Sequence, residues 1–386
     1  MQDLRLGIIG LGNMGQVHAH AIATGAISRC RLAAVCDPDQ ELLSKYSPAR
    51  AYLLSSELIT SGEVDAILVA TPHYSHTTIG IEALETGLHV LVEKPLSVHK
   101  SDCERLIGAH RSSEQVFAAM FNQRTDPYYL KLRELVCNGE LGTVRRINWI
   151  VTNWFRTGAY YASGGWRATW AGEGGGVLLN QSPHQLDLWQ WLFGMPRKVR
   201  AFCHLGRYHD IEVEDDVTAY FEYDNGATGV LITSTGEAPG TDRLEVTAER
   251  GRVIIENDRF HFTRNEVPMS QFSKESPERF GKPEAQEIEI PMPGHGGQHN
   301  AVLQNFVDAI LHRKPLIAPA AEGIRSVELA NAMLLSSFTD KTISLPIDAR
   351  AFERLLNEKI AASKAKETDA RRPAVPFDDF SKSFKR

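Results

Sequence analysis

The chain has 386 residues, 42% of them hydrophobic, and a net charge of −6 at pH 7. This length predicts two domains, because a single hydrophobic core rarely grows so large. The negative charge, without a long basic run before the tail, argues against nucleic acid as the main partner. No apolar run approaches the roughly 18 residues that span a bilayer, so no membrane association is expected.

The five cysteines are scattered along the chain and form no CxxC pair. The first residues, MQDLRLGIIG, lack the pattern of a signal peptide. We therefore expect reduced thiols and a cytoplasmic location.

Residues 8–22 read IIGLGNMGQVHAHAI, in which an apolar strand runs into three glycines and then into an amphipathic stretch. A strand, turn and helix of this kind bind dinucleotide phosphates when an acidic residue follows about 20 positions later. The predicted strand Cys30–Cys36 is followed at once by Asp37, 22 residues after Gly15. The residues predicted to hold the phosphates are Gly10, Gly12, Asn13, Met14 and Gly15.

Asp37 would accept hydrogen bonds from the ribose hydroxyls and would repel a 2′-phosphate. We therefore expect NAD as the cofactor and consider NADP less favoured. The alternative interpretation is a glycine turn that binds no ligand.

The alternation of strands and helices continues to about residue 122. Predicted strands at 64–70, His89–Val92 and 116–122 alternate with helices near 77–84 and 100–112, which is typical of a doubly wound parallel sheet. Ligands of such sheets gather at the carboxyl ends of the strands. The residues expected there, beside the cofactor, are Thr71, Pro72, His73, His76, Glu93, Lys94 and Asn122.

The motifs GLGNMG, ATPHYSH, EKPLS and FNQR, in this order, resemble those of the Gfo/Idh/MocA family of oxidoreductases. GGGVLLNQSPHQLDLWQWLFG (174–194) and EGIRSVELANAMLLSS (322–337) resemble the family's later motifs, so the resemblance covers about residues 4–345. It implies an α/β fold with a Rossmann domain over 1–122. It also implies a second α/β domain over 123–349, with a large, mostly antiparallel open sheet for substrate binding and oligomerisation.

The second half of the chain supports such a sheet independently. Strand-like segments lie at 144–153, Lys198–Leu205, 217–223, 227–234, 243–248 and 252–256. Residues 265–290 are polar and irregular, and we expect a long loop there. Residues 350–386 are expected to form a helix, over 351–366, and then a disordered tail or an arm over a neighbouring subunit.

The resemblance also implies catalytic roles. Lys94, matching the EKP lysine, would lie beside the nicotinamide, where burial lowers its pKa, and the bond to Pro95 is often cis in the family. His184 matches the catalytic histidine, which takes the hydroxyl proton. Asp187, one helical turn further on, would orient His184, contact the substrate, or form a salt bridge elsewhere.

Asn180 departs from the family, in which this position is often Asp. An amide cannot ionise, so Asn180 is expected to position a substrate hydroxyl. In that case His184 carries more of the base role, or Lys94 is neutral.

Aromatic and basic residues are dense after residue 153, as expected for a surface that stacks on sugar rings. The candidates for substrate binding are Trp154, Arg156, Tyr161, Trp166, Arg167 and, before a later helix, His299. Packing in a core is the alternative for each aromatic residue. No metal site is expected, because GHGGQHN has no acidic or cysteine partner nearby.

These features favour an NAD-dependent dehydrogenase that acts on a secondary hydroxyl of a sugar, glycoside or cyclic polyol. Two alternatives stay open: an NAD-recycling enzyme that cleaves glycosides through transient oxidation, and a nucleotide-binding regulatory protein without turnover. Because a broad open sheet needs a cover, we expect a homodimer or homotetramer.

Overall fold

The computed structural model describes residues 3–363, so the predicted tail beyond them lies outside the described residues. The first sheet consists of β1 (Leu4–Ile9), β2 (Cys30–Cys36), β3 (Arg50–Tyr52), β4 (Ala66–Val69), β5 (His89–Val92) and β6 (Phe117–Ala119). All six strands are parallel, in the order β3-β2-β1-β4-β5-β6. The predicted doubly wound sheet is confirmed. Strand β3 was not predicted, because its three residues are too few to show the hydrophobic pattern of a strand.

Helices cover both faces of this sheet, which explains why β4 reads AILV with every residue buried. They are α1 (Asn13–Ala23), α2 (Gln40–Leu43), α3 (Ser55–Thr60), α4 (His73–Glu85) and α5 (Lys100–Ala109). The strand order reverses between β1 and β4, and ligands of such sheets bind at this reversal.

The second sheet has nine strands. They are β7 (Val144–Val151), β8 (Lys198–Leu205), β9 (Glu214–Glu222), β10 (Thr228–Ser234), β11 (Asp242–Ala248), β12 (Gly251–Glu256), β13 (Arg259–Asn265), β14 (Ala285–Ile290) and β15 (Ile343–Ser344). Their order is β14-β13-β12-β11-β7-β10-β9-β8-β15, and only β7 and β10 pair in parallel. The predicted mostly antiparallel sheet is confirmed.

The helices of the second half are α6 (Pro127–Cys137), α7 (Gly158–Ala162), α8 (Pro183–Phe193), α9 (Met269–Glu275), α10 (Gln298–His312), α11 (Ala320–Thr339) and α12 (Ala349–Ala362). The prediction of a long loop at 265–290 is wrong, since α9 and β14 lie there. β14 is the edge strand of the sheet and is largely exposed. Its sequence, AQEIEI, is therefore mostly polar and lacks the apolar run that marks a buried strand.

Helix α8 packs on the inner face of the second sheet through Trp189, whose ring lies 6.4 Å from that of Trp149 and 4.9 Å from that of Phe221. Helix α10 returns to the first sheet, where Phe306 shares a core with Ile8. Helix α11, which follows α10, contacts β6 of the first sheet and β8 of the second. Within residues 3–363, no helix is long and apolar enough to cross a membrane.

Candidate active site

The glycine turn lies at the reversal of strand order, between β1 and α1. Gly10 has a φ of +93°, and a Cβ there would meet the carbonyl oxygen of Ala70 at 2.6 Å. A Cβ on Gly15 would lie 1.9 Å from the oxygen of Gly10, so both glycines are needed for packing. A Cβ on Gly12 would meet no atom of the described residues within 4 Å. The turn therefore leaves space at Gly12 where a phosphate group fits.

Within residues 3–363, no side chain caps the N-terminus of the helix that follows, so the backbone N–H groups near Asn13 and Met14 are available to an anion. Asp37 faces the same turn, because its Oδ2 accepts a 2.7 Å hydrogen bond from the backbone N–H of Leu11. Its Oδ1 accepts from the N–H of Asp39 at 2.9 Å. Each carboxylate oxygen keeps a second lone pair, so the residues present fit a dinucleotide.

The ends of β4 and β6 carry two buried polar atoms that have no hydrogen-bond partner within residues 3–363. They are the Oγ1 of Thr71 and the Oδ1 of Asn122. The Nδ2 of Asn122 donates to Gln298 at 2.7 Å. Buried polar atoms are rarely unpaired, so these two atoms point to a bound ligand at this edge.

Two histidines of α4, His73 and His76, contact backbone oxygens of the loops near the strand ends. The Nδ1 of His76 lies 2.9 Å from the backbone oxygen of Pro95, and its Nε2 lies 2.8 Å from the backbone oxygen of Thr71. The Nδ1 of His73 lies 3.1 Å from the backbone oxygen of Glu173. Burial lowers the pKa of both histidines, which favours their neutral forms. Their expected contact with the cofactor, like that of Pro72 at the start of α4, stays a prediction.

Glu93 precedes the catalytic candidate Lys94 and is buried. Its Oε1 lies 2.7 Å from Nε2 of His18, on α1, and its Oε2 accepts from the backbone N–H of Lys94 at 3.2 Å. The ring of His299 lies 5.8 Å from that of His18. Burial lowers the pKa of His299 to about 4, so this side chain is neutral near pH 7. His299 lies inside α10, on its first turn.

Lys94 connects the two halves of the chain. Its Nζ donates a 2.8 Å hydrogen bond to the backbone oxygen of Asn180, in the loop before α8. Burial lowers the pKa of Lys94, although the nearby carboxylates of Glu93 and Glu173 oppose this shift. The bond between Lys94 and Pro95 is cis, as the resemblance implies.

The side chain of Asn180 is held by several protein groups. Its Oδ1 accepts hydrogen bonds from the hydroxyl of Tyr160 at 3.4 Å and from Nε2 of Gln181 at 3.2 Å. Its Nδ2 donates to the carboxylate of Glu173. The Tyr160 hydroxyl in turn accepts from Arg167 at 3.0 Å. The predicted contact between Asn180 and a substrate hydroxyl stays a prediction.

The aromatic and basic candidates after residue 153 form one surface beside this network. The guanidinium of Arg156 lies 5.5 Å from the ring of Trp154 and 5.1 Å from that of Tyr160. The guanidinium of Arg167 lies 4.7 Å from the ring of Trp166. The buried Nε1 of Trp154 and Nε of Arg156 have no hydrogen-bond partner within the described part of the chain. They are donors available to a ligand.

Tyr161 belongs to the core instead. It is 7% exposed, and its hydroxyl lies 2.7 Å from Oγ1 of Thr235.

His184 is the second residue of α8 and is 8% exposed.

Across residues 3–363, no group of three His, Cys, Asp or Glu side chains is arranged to hold a metal ion.

Asp187 pairs with Arg124, and its expected role of orienting His184 stays a prediction. Its two oxygens accept from Nε and Nη2 of Arg124 at 2.7 and 2.6 Å, and both side chains are fully buried. This is the alternative of a salt bridge elsewhere. Because Asp187 is buried and occupied, we do not place it among the substrate ligands.

Sequence reasoning missed three residues of this region. His18 lies one helical turn after Gly15, Glu173 lies directly before the glycine triplet, and Gln181 follows Asn180. Glu173 is 2% exposed. An acidic residue between Gly172 and a run of three glycines is the only sequence signal that could have identified it.

Comparisons with known proteins agree with this geometry. Residues 4–121 match a family described as "Oxidoreductase family, NAD-binding Rossmann fold", and residues 129–254 match the "GFO/IDH/MocA C-terminal domain". Fold and site thus define an oxidoreductase with an NAD-binding Rossmann domain. The chain belongs to the Gfo/Idh/MocA family, which confirms the resemblance.

Two curated relatives are inositol dehydrogenases. Myo-inositol 2-dehydrogenase of Thermotoga maritima is 28% identical over 66% of this chain and 76% of its own length. Inositol 2-dehydrogenase 2 of Saccharopolyspora erythraea is 26% identical over 89% of this chain and 96% of its own length.

Solved structures share the whole fold. The WlbA dehydrogenase of Chromobacterium violaceum, in complex with NADH and UDP-GlcNAcA, has a TM-score of 0.78 at 25% identity, over 90% of this chain and 97% of that one. A levoglucosan dehydrogenase in complex with NADH has a TM-score of 0.74 over 90% of this chain and 100% of that one. At 18% identity, the latter likeness concerns the fold alone.

Proposed function

We propose that this protein is an NAD-dependent dehydrogenase that oxidises a secondary hydroxyl of a sugar, glycoside or cyclic polyol. The observation that carries the proposal is the position of Lys94. Its amine lies at the end of β5 and bonds the Asn180 loop of the second domain. The names of the relatives, which are inositol and sugar dehydrogenases, support this substrate class.

NAD is favoured over NADP because Asp37 places a carboxylate beside the glycine turn, through its contact with Leu11. A carboxylate there repels a 2′-phosphate. Gly12 and the start of α1 would hold the phosphates. Further along the edge, Thr71 and Asn122 offer polar atoms that have no hydrogen-bond partner among the described residues. When bound there, the nicotinamide would accept a hydride from the substrate carbon.

The chain's own residues would bind the substrate and move its proton. Lys94, with its pKa lowered by burial, would hydrogen-bond the reacting hydroxyl. His184 would take the hydroxyl proton, since imidazole titrates near neutral pH. Trp154 and Trp166 would stack on the ring of the substrate. The Nε of Arg156, which has no partner in the described part of the chain, would donate to hydroxyl or carboxylate oxygens.

We further propose a homo-oligomer in the cytoplasm. Phe202 and Tyr220 are 53% and 42% exposed on one face of the paired strands β8 and β9. A second copy would cover this face, as edges and faces of open sheets are usually covered. The five cysteines are all free, which favours a reducing compartment.

The test is a panel of inositols, glucosides, aldonates and anhydrosugars with NAD, in which NADH absorbance and products are followed together. Rising absorbance with a keto product supports the proposal. Release of an aglycone without NADH would instead indicate NAD-recycling cleavage of glycosides. Binding of NADH without any turnover would contradict a dehydrogenase of this substrate class.

The variant Lys94→Ala should lower kcat/KM by a factor of about 10²–10⁴, the usual contribution of a positioned acid or base. NADH binding, followed by fluorescence, should persist. Lys45→Ala is the control, because Lys45 is an exposed lysine of the first domain. Near-normal turnover in Lys94→Ala would contradict the assigned role.

A further inference from the structure

Glu173 is a buried acid that neither the family match nor the proposed function uses. It is 2% exposed and lies directly before the glycine triplet of the loop that carries Asn180. Its Oε1 accepts a hydrogen bond from Nδ2 of Asn180, and its Oε2 accepts from the backbone N–H of Ala168 at 2.7 Å. Burial raises the pKa of Glu173, but both of its oxygens accept from N–H donors, and these hydrogen bonds favour the ionised carboxylate.

Lys94 has no negative charge at the atom that it contacts. Its Nζ bonds the neutral backbone oxygen of Asn180, and the side chain of Asn180 is a neutral amide. The carboxylate bonded to that amide is Glu173. Burial lowers the pKa of Lys94; the charge of Glu93 opposes this shift most, and the charge of Glu173 opposes it next.

The hydrogen bond from Asn180 to Glu173 also decides which way the amide points. With Nδ2 held by Glu173, Oδ1 faces the hydroxyl of Tyr160 and Nε2 of Gln181. In the opposite orientation Nδ2 would face Gln181, and two donors would oppose each other. One carboxylate thus sets the direction of the whole network.

We propose that Glu173 is a positioning residue of this active site, which orients the Asn180 amide and balances the charge of Lys94. Its effect on turnover rests on the proposed dehydrogenase function. Its effect on the Lys94 amine does not depend on that function.

Other titratable and charged groups also lie near this pair and are unchanged in the test. The groups that face Lys94, besides Glu173, are Glu93, Arg156, Arg167, His73, His76 and His299. Glu173 is also faced by Arg167, by Tyr161 and by the buried Glu214. Glu214 holds the same loop, since its Oε1 accepts from the N–H groups of Gly176 and Leu178 at 2.8 and 3.1 Å.

The test uses Glu173→Gln and the double variant Glu173→Gln with Asn180→Asp. The single variant keeps the shape, removes the charge and turns a donor toward Nδ2 of Asn180. The double variant moves the carboxylate from position 173 to position 180. The amide N–H at position 173 then faces a carboxylate oxygen at position 180, so a donor again faces an acceptor. Glu328→Gln is the control, because Glu328 is a buried carboxylate that pairs with Lys100 outside this site.

The readout is acetylation of Lys94 by acetic anhydride across a range of pH, followed by mass spectrometry. Only the neutral amine reacts, so the midpoint reports the pKa of Lys94. Loss of a nearby carboxylate should move this midpoint down by about one pH unit in Glu173→Gln. The double variant should return toward the wild-type midpoint, and Glu328→Gln should not move it.

With a substrate from the panel, kcat should fall about 100-fold in Glu173→Gln with KM little changed, because the catalytic groups lose their orientation. The double variant should recover at least about tenfold of this loss. An unmoved Lys94 midpoint in folded Glu173→Gln would overturn the proposal. If that variant does not fold, the double variant decides: a wild-type-like midpoint supports the proposal, and a shifted midpoint or failure to fold overturns it.

The two proposals fail separately. If no sugar or polyol is oxidised and the Lys94 midpoint still moves, the function is wrong and the role of Glu173 stands. If a substrate is oxidised and the Lys94 midpoint does not move, the proposed function stands and the role of Glu173 is wrong.

Discussion

The amine of Lys94 donates to the backbone oxygen of Asn180, 86 residues further along the chain, at 2.8 Å. This contact joins the end of a parallel strand to the loop that begins α8. A change in the position of one sheet relative to the other therefore moves the amine relative to the Asn180 loop.

Substitutions of Gly12 and Gly15 should have different effects, the first on NADH binding and the second on stability. Gly12→Ala should change the free energy of unfolding by less than about 1 kcal/mol and weaken NADH binding tenfold or more, because its Cβ meets only the space for phosphate. Gly15→Ala should destabilise by about 1–3 kcal/mol, because its Cβ would overlap the oxygen of Gly10. Urea unfolding and NADH fluorescence titration measure both. Unweakened NADH binding in Gly12→Ala would place the phosphates elsewhere.

Asp37→Ala should weaken NAD binding about 10–100-fold, the usual effect of losing hydrogen bonds to a charged group. The preference for NAD over NADP should fall as well, since the repulsion of a 2′-phosphate disappears. Asp39→Ala is the matched control: its carboxylate accepts from the N–H of Glu41 at the start of α2. Equal losses in both variants would mean that general surface charge, and not the Asp37 contact, sets the preference.

Asp187→Asn should cost about 3–5 kcal/mol in urea unfolding, because it leaves Arg124 buried without its main partner. Glu322→Gln removes the other carboxylate of Arg124, whose side chain is 34% exposed, and should cost about 1 kcal/mol or less. The pH profile of the remaining activity should stay unchanged in Asp187→Asn. A shifted profile with wild-type stability would instead indicate that Asp187 orients His184.

His299 should make the protein less stable in mild acid. Its pKa is about 4 in the folded state, against 6.5 for an unperturbed histidine, so between these values the unfolded state binds more protons. Its contribution is complete above pH 6.5 and is lost as the pH falls toward 4. Between pH 7.5 and pH 5 the loss amounts to about 2 kcal/mol.

The comparison of wild type with His299→Gln isolates this contribution, because all other titrating groups are shared. Urea unfolding at the two pH values should show a smaller loss of stability in the variant. The same loss in both proteins would mean that His299 is not held neutral by burial.

The first domain was largely predictable because its signals are local. Continuous apolar runs mark strands that are buried on both faces, and Gly10, Gly15 and Asp37 stand at fixed spacings around one turn. The motif at 174–194 likewise pointed to the loop and helix that carry Asn180 and His184. The edge strand β14 was missed because an exposed edge carries no apolar pattern.

The sequence by itself determined the class of fold and the location of the cofactor turn, since periodicity and glycine spacing act between neighbours in the chain. Only the tertiary structure decided the partners of the charged residues. Asp187 bonds Arg124, 63 residues away, and Glu93 bonds His18, 75 residues away. Such pairs form because a buried charge needs a partner, and which partner it finds depends on how the elements pack.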